Sequence, residues 1–217
     1  MENTQQLLEK LGSEKVKINE PMKLHTYMKV GGPAQLYFEA SSESELSLAV
    51  KTAIELGLPY TVIGNGANVL VSDRGINGLV IVNKAAAIKF LPHDFVEVES
   101  GVSMVDLSRE VGKRGLGGLE RMTRVPATVG GAIFMNAGDT GKKEFFGDLV
   151  VSITVINKEG EVKKLHSDAA NFTYRTSRFQ DSGEVILSAK LQLPKMTKAE
   201  IDEKVRDIMI RKTHHPA

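Results

Sequence analysis

At 217 residues the chain holds enough material for one large domain or two small ones sharing an interface. Its 28 Lys and Arg against 27 Asp and Glu leave a formal net charge of +1, which argues against nucleic acid as the main partner, since phosphate tracking needs a concentrated basic face. The count of 0 cysteines excludes disulfides, thiolate nucleophiles and Cys-based zinc or iron–sulfur sites, and no apolar run approaches membrane-spanning length.

The amino terminus, Met1 to Lys17, is polar and lacks the apolar core of a signal peptide, so the expected location is cytoplasmic. Ser42 and Glu45 have capping-box spacing before Leu46, Ala49, Val50, Ala53 and Ile54, which predicts a helix. Gly57 closes it and Pro59 prevents its resumption. Tyr60 to Ile63 reads as a short strand that runs into Gly64-Asn65-Gly66-Ala67-Asn68, with a second strand, Val69 to Val71, leaving the turn. Gly78 to Val82 is a buried strand, and Phe95 to Ser100 alternates as a half-buried one.

Ser103 and Asp106 open a helix that carries Met104, Leu107 and Val111 inward and ends at Gly115–Gly118. Val151, Ile153 and Val155 alternate, Asn157 to Gly160 turns, and Glu161 to Leu165 pairs back as a hairpin. Val185, Leu187, Ala189 and Leu191 form another alternating strand. Thr197 and Glu200 cap a last helix whose Ile201, Val205, Ile208 and Met209 stripe needs a partner, either the rest of the chain or a second copy. One βαβ-like unit followed by antiparallel pairs gives the class α+β.

Three segments carry candidate chemistry. Gly64 to Asn68 places two glycines between apolar strands, where successive backbone N–H groups form an anion-binding nest suited to a pyrophosphate. No helix follows and the third glycine of a dinucleotide fingerprint is missing, so a plain strand-to-strand turn explains the segment equally well. Pro126-Ala127-Thr128-Val129-Gly130-Gly131-Ala132, followed by Met135-Asn136-Ala137-Gly138, is rich in small residues and has little reason to be strand or helix. It suits a flat cofactor or a diphosphate, and equally a connection packed tightly on a neighbour. Phe172-Thr173-Tyr174-Arg175-Thr176-Ser177-Arg178-Phe179 reads as a solvated loop, unless an arginine there clamps a carboxylate or phosphate through its planar fork. His25, His93 and His166 are scattered and His214-His215 are adjacent, so no metal site is expected.

In order along the chain, these segments resemble the UDP-N-acetylenolpyruvoylglucosamine reductases. The match begins at His25-Thr26 and Val30-Gly31-Gly32-Pro33-Ala34 and continues through Gly64 to Val71 and Gly117-Gly118-Leu119-Glu120. It then takes in Pro126 to Gly138 and Tyr174-Arg175-Thr176-Ser177-Arg178-Phe179. The resemblance implies a two-lobed FAD-binding fold of the vanillyl-alcohol-oxidase/PCMH type. Its lobes would be residues 1–82 and 83–195, with residues 196–217 a helix leading toward a substrate-binding domain. It implies non-covalent FAD with NADPH as reductant and a UDP-sugar substrate. Ile63, Gly64, Asn65, Gly66, Ala67 and Asn68 would hold the FAD diphosphate together with Pro126, Ala127, Thr128, Gly130, Gly131 and Ala132, with Asn136 near the flavin. Tyr174 and Arg175 would bind substrate, Arg175 stabilising the charge that develops on its carboxylate.

The chain departs from the family pattern in several places. Ala67 and Ala127 stand where the family usually has serine and glycine. Loss of the serine hydroxyl removes a bond to a charged phosphate worth roughly 1.5–3 kcal/mol. Gly138-Asp139-Thr140-Gly141 replaces a stretch that carries a tyrosine in the family. Family members continue into a domain bearing a catalytic serine and a glutamate, and neither motif is found here. The expectation is a shortened piece or half of a split product that holds FAD but turns over little by itself. The competing expectation is a flavin-binding module without reductase activity.

Overall fold

The computed structural model describes residues 2–139 and 144–214, so Thr140, Gly141 and His215 to Ala217 lie outside the described residues. The class is α+β. Helix α1 (Glu2–Leu11) precedes a four-stranded sheet of β1 (Val16–Pro21), β2 (Pro33–Ala40), β3 (Tyr60–Ile63) and β4 (Ile76–Asn83) in the order β1-β2-β4-β3. Strand β1 is antiparallel to β2, while β2, β4 and β3 run parallel around α2 (Glu43–Glu55). Ser42 caps α2 by accepting the Glu45 N–H at 3.2 Å, while the Glu45 carboxylate reaches back to the Ser41 N–H at 2.8 Å.

Central strand β4 is buried on both faces, which explains its unbroken apolar run. Leu79 and Ile81 face α2 together with Leu36 and Phe38, whereas Val80 and Val82 pack with Met22, Tyr37, Ile63 and Val71 on the opposite side. Val71 takes no part in a strand. The expected strand at Val69–Val71 is absent because no neighbouring strand lies beside it, and the segment crosses the sheet as irregular chain. The Ser72 carbonyl then accepts the Gly32 N–H at 2.9 Å, which pins the return of this crossing to the start of β2.

The second sheet is antiparallel, with β5 (Ile88–Phe90), β6 (Phe95–Glu99), β9 (Val150–Ile156), β10 (Val162–His166) and β11 (Val185–Gln192) in the order β10-β9-β11-β6-β5. Helices α3 (Met104–Gly112), α4 (Val129–Phe134) and α5 (Phe179–Ser182) accompany it. The short pair β7 (Gly138–Asp139) and β8 (Glu144–Phe145) stands apart. A register shift in β11 between Ile186 and Ser188 redirects its side chains. Leu187 therefore joins Ile156 and the buried face of α2, while Ile186, Ala189 and Leu191 stay in the core of the second sheet. Simple alternation along this strand does not hold.

Helix α2 thus serves both sheets, and polar contacts lock the same seam. Glu99 accepts the Glu43 N–H at 2.9 Å and the Ala87 N–H at 2.7 Å. The fully buried Ser100 hydroxyl accepts from Asn83 Nδ2 at 2.7 Å and donates to the Ile186 carbonyl at 2.7 Å. Helix α6 (Lys198–His214) starts in the capping box of Thr197 and Glu200. It packs on the turn Glu120–Arg124, where Ile201, Val205 and Ile208 become half-buried. The rest of the chain therefore supplies a partner for most of that stripe, and Met209 stays 42% exposed with Arg124 near its sulfur. Among the described residues no helix is long and apolar enough to cross a membrane.

Candidate functional site

Strand β3 delivers the chain into Gly64–Asn68 at the edge of the first sheet. Ile63 is buried in the outer core, while Asn65 and Asn68 are exposed. A Cβ built on Gly64 would overlap the Thr128 side chain, so the absence of a side chain lets the two glycine-rich segments touch. Gly66 has φ +64°, and a Cβ there would run into the His25 carbonyl and the Thr26 backbone. The Gly66 carbonyl accepts the Tyr27 N–H at 3.1 Å. The N–H groups of Asn65, Gly66, Ala67 and Asn68 donate to no protein acceptor among the described residues. Four successive free donors on a turn that exposes Asn65 and Asn68 and buries Gly66 have the character of an anion nest.

The second glycine-rich segment differs from its sequence reading. Val129–Phe134 is a helix, α4, although it contains two glycines. Thr128 caps it, accepting the Gly131 N–H at 3.3 Å, and Val129, Ala132 and Ile133 bury fully in the second core. Tertiary burial outweighs the poor helix propensity of glycine here. The Gly130 N–H donates to the Ser100 carbonyl at 2.7 Å and the Val129 N–H to the Val102 carbonyl at 2.8 Å. These donors are engaged within the protein, so this segment contributes shape and the Thr128 side chain, and the free donors belong to Asn65–Asn68. Pro126 is exposed, Ala127 half-buried and Gly131 exposed, whereas Ala132 is a core residue.

The far end of α4 builds the third element. Helix ends leave orphan carbonyls, and the Phe134 carbonyl accepts from Ser177 Oγ at 2.8 Å and Gln180 Nε2 at 3.0 Å. The same Gln180 amide donates to the Arg175 carbonyl at 3.0 Å. Thr173 and Thr176 exchange backbone bonds at 3.1 and 3.3 Å, closing a tight turn with Tyr174 and Arg175 at its tip. Arg175 takes φ +56°, a left-handed conformation that costs a residue with a side chain about 1–3 kcal/mol. Its guanidinium is exposed and has no partner among the described residues. Arg178 is engaged instead, with Nε 3.0 Å from Glu184 Oε2 and an N–H donated to the Ala169 carbonyl at 3.3 Å. The ring of Tyr174 meets Phe145 edge-on, with centroids 6.4 Å apart.

Asn136 is 3% exposed, and both ends of its amide are occupied. Nδ2 donates to the Thr173 carbonyl at 2.8 Å, and Oδ1 accepts the Gly147 N–H at 3.0 Å. It therefore holds the Arg175 turn from below. Asn136→Ala should lower stability by about 1–3 kcal/mol, since two buried backbone groups lose their partner. Chemical denaturation measures this, and an unchanged midpoint would contradict it.

The structure thus joins the two glycine-rich segments directly at Gly64 and Thr128. It links them to Tyr174 and Arg175 through α4, whose six residues span about 9 Å. Sequence reading missed Ser100, Gln180 and the anchoring role of Asn136, none of which has a local signature. Two clefts elsewhere, about 730 Å³ beside Asp94, Asp148 and His166 and about 200 Å³ on the second sheet, involve none of these residues. Among the described residues no group of His, Asp and Glu could hold a metal ion.

Comparison with known proteins gives this arrangement its context. A family model described as "FAD binding domain" matches residues 34–166. The UDP-N-acetylenolpyruvoylglucosamine reductase of Carboxydothermus hydrogenoformans is 38% identical over 190 residues, covering 87% of this chain and 62% of the relative. That of Clostridium tetani is 37% identical over 212 residues, covering 97% of this chain and 68% of the relative. The crystal structure of UDP-N-acetylenolpyruvylglucosamine reductase from Thermus caldophilus superposes with a TM-score of 0.77 at 28% identity, covering 93% of this chain and 70% of that one. A p-cresol methylhydroxylase structure, at 15% identity and TM-score 0.63, shares the fold. The chain spans 62–64% of the length of several of these curated relatives.

Proposed function

Because this chain belongs to the UDP-N-acetylenolpyruvoylglucosamine reductase family and carries an FAD-binding domain, we propose that it is the FAD-binding region of the NADPH-dependent reductase that converts UDP-N-acetylglucosamine enolpyruvate to UDP-N-acetylmuramate for peptidoglycan. The observation that carries the reading is the unpaired Arg175, held on a strained turn at one end of α4 while Thr128 meets the glycine loop at the other.

The residues fit the cofactor. The free N–H groups of Asn65 to Asn68 suit its diphosphate, and the Gly64–Thr128 contact leaves no side chain in the way. Residues 1–82 and 83–195 are the two lobes that hold it, with residues 196–217 leading out of them. When bound, FAD would supply the hydride chemistry between NADPH and the enolpyruvyl group. Arg175 receives the substrate carboxylate through its bidentate fork and stabilises the negative charge that builds on it during hydride transfer. Tyr174, braced by Phe145, lines the same approach. The strain at Arg175 is offset by the bonds from Gln180 and Asn136, so the backbone that presents its side chain is set before substrate arrives. We place this reaction in the cytoplasm, where UDP-sugars and NADPH are produced.

The test uses a chimera in which the remaining third of a curated relative follows residue 217. NADPH should reduce its bound flavin, and the enolpyruvyl nucleotide should reoxidise it with formation of UDP-N-acetylmuramate. A flavin that stays reduced in the presence of the enolpyruvyl nucleotide would overturn the reading.

A further inference from the structure

His25 acts in two directions. Its backbone carbonyl lies where a Gly66 side chain would stand, and two residues later the Tyr27 N–H donates to the Gly66 carbonyl at 3.1 Å. The segment from His25 to Tyr27 therefore forms one wall of the Gly64–Asn68 loop. The ring points the other way, into the first sheet. Its Nε2 is 2.9 Å from Glu20 Oε1 and its Nδ1 is 2.9 Å from the Tyr37 hydroxyl. It also stacks obliquely on the Tyr37 ring with centroids 4.4 Å apart. Tyr37 is fully buried, and the His25 and Glu20 side chains are each 16% exposed.

The protons in this cluster are tightly constrained. The Tyr37 hydroxyl donates its single proton to Glu39 Oε1, so toward His25 it is an acceptor. The Glu20 carboxylate is also an acceptor, taking a further bond from Lys17 Nζ at 3.1 Å. Both ring contacts are hydrogen bonds together only when the ring carries both protons, since each nitrogen faces an acceptor. Loss of one proton turns a lone pair toward another lone pair. The groups facing the ring are Lys17 and Glu20 from β1 and Tyr37 and Glu39 from β2; Lys17 Nζ also lies 5.2 Å from the Tyr37 ring centroid. The bond from His25 holds the Glu20 carboxyl below its usual range. Burial, reinforced by Glu39, keeps the Tyr37 hydroxyl protonated well above the usual phenol range.

From this geometry we propose that His25 is a positioning residue for the FAD loop: its doubly hydrogen-bonded ring fixes residues 25–27 against Gly66, so that FAD affinity depends on the second ring proton. This rests on the FAD reading above. The sign follows from the donors. The anchored loop is present while the ring holds both protons and is released as pH rises and one is lost. Protonation of Glu20, whose carboxyl titrates below its ordinary range, lies on the acid side of that transition.

The experiment is the Kd for FAD, read by quenching of flavin fluorescence as a function of pH. Where the FAD diphosphate keeps a constant charge, a slope comes from the protein. The wild-type Kd should rise about tenfold with pH, as for loss of one hydrogen bond. His25→Gln should bind FAD about as weakly at all pH values as wild type does at the alkaline end. Tyr37→Phe removes the acceptor for Nδ1 and should flatten the profile while leaving the ring in place. A flat wild-type profile with intact FAD binding overturns the role of His25 and leaves the FAD reading standing, even if both variants fail to fold. A folded His25→Gln protein with the wild-type slope overturns it as well. Wild-type protein that takes up no FAD at any pH overturns both.

Discussion

Gly66→Val should weaken FAD binding by about a hundredfold or more, the equivalent of two lost bonds to a charged group. At φ +64° a β-branched side chain is strained, and its Cβ meets the His25 carbonyl and Thr26 backbone, which cannot give way as a flexible side-chain tip would. The loop has to move, and the N–H groups of Asn65 to Asn68 move with it. The fold should survive, because residues 64–68 belong to none of the three hydrophobic clusters. Gly57→Ala is the matched control. Gly57 has φ +60° at the end of α2 with open space around it, so alanine there costs about 1 kcal/mol of backbone strain and leaves FAD affinity unchanged. Fluorescence titration together with thermal melting separates the two effects. Equal FAD affinity in Gly66→Val and wild type would contradict the loop's role.

The glycine loop was legible because its features are local. Gly64 and Gly66 follow directly on the apolar strand β3, and a Cβ at either would overlap its neighbours. Capping boxes at Ser42 and Thr197 and the alternation of β6 were legible for the same reason, whereas in β9 Val150 and not Val151 joins Ile153 and Val155 in the core, beside the register shift at Lys190 and Leu191. What escaped depends on partners distant in sequence. Helix α4 has glycines at its second and third positions and forms because Val129, Ala132 and Ile133 are buried and Ser100 receives the Gly130 N–H. Val71 is apolar for the sake of Tyr37 and Val80 on the sheet face it covers, and not because it pairs as a strand. The shift in β11 sends Leu187 to α2, which a period-two pattern cannot express. The solvated-loop reading of residues 172–179 fits the exposure of Arg175 but misses its anchorage by Asn136 and Gln180.

Arg175→Ala, in the chimera, should slow flavin reoxidation by the enolpyruvyl nucleotide by about a hundredfold or more, as for loss of one transition-state donor. Flavin reduction by NADPH should change little, because the role proposed for the residue concerns the substrate carboxylate alone. Truncation at an exposed tip leaves the turn intact: the backbone bonds of Thr173 and Thr176 and the contacts of Ser177 and Gln180 all remain. Arg175→Lys should recover only part of the rate, since a point charge does not reproduce the bidentate fork. An equal change at Arg178 should act through stability instead, because that guanidinium is paired with Glu184. Stopped-flow measurement of the two half-reactions decides, and equal losses in both would remove Arg175 from this role.

The central claim is that the Asn65–Asn68 donors, brought against Thr128, form a seat for a diphosphate. The most direct measurement compares the Kd of this chain for FAD and for FMN, which has the same ring system but a single phosphate. The account predicts that FAD binds more tightly by about a hundredfold, equal to ~2.7 kcal/mol, and is released intact on denaturation. Equal affinity for the two flavins, or no affinity for FAD, would contradict it.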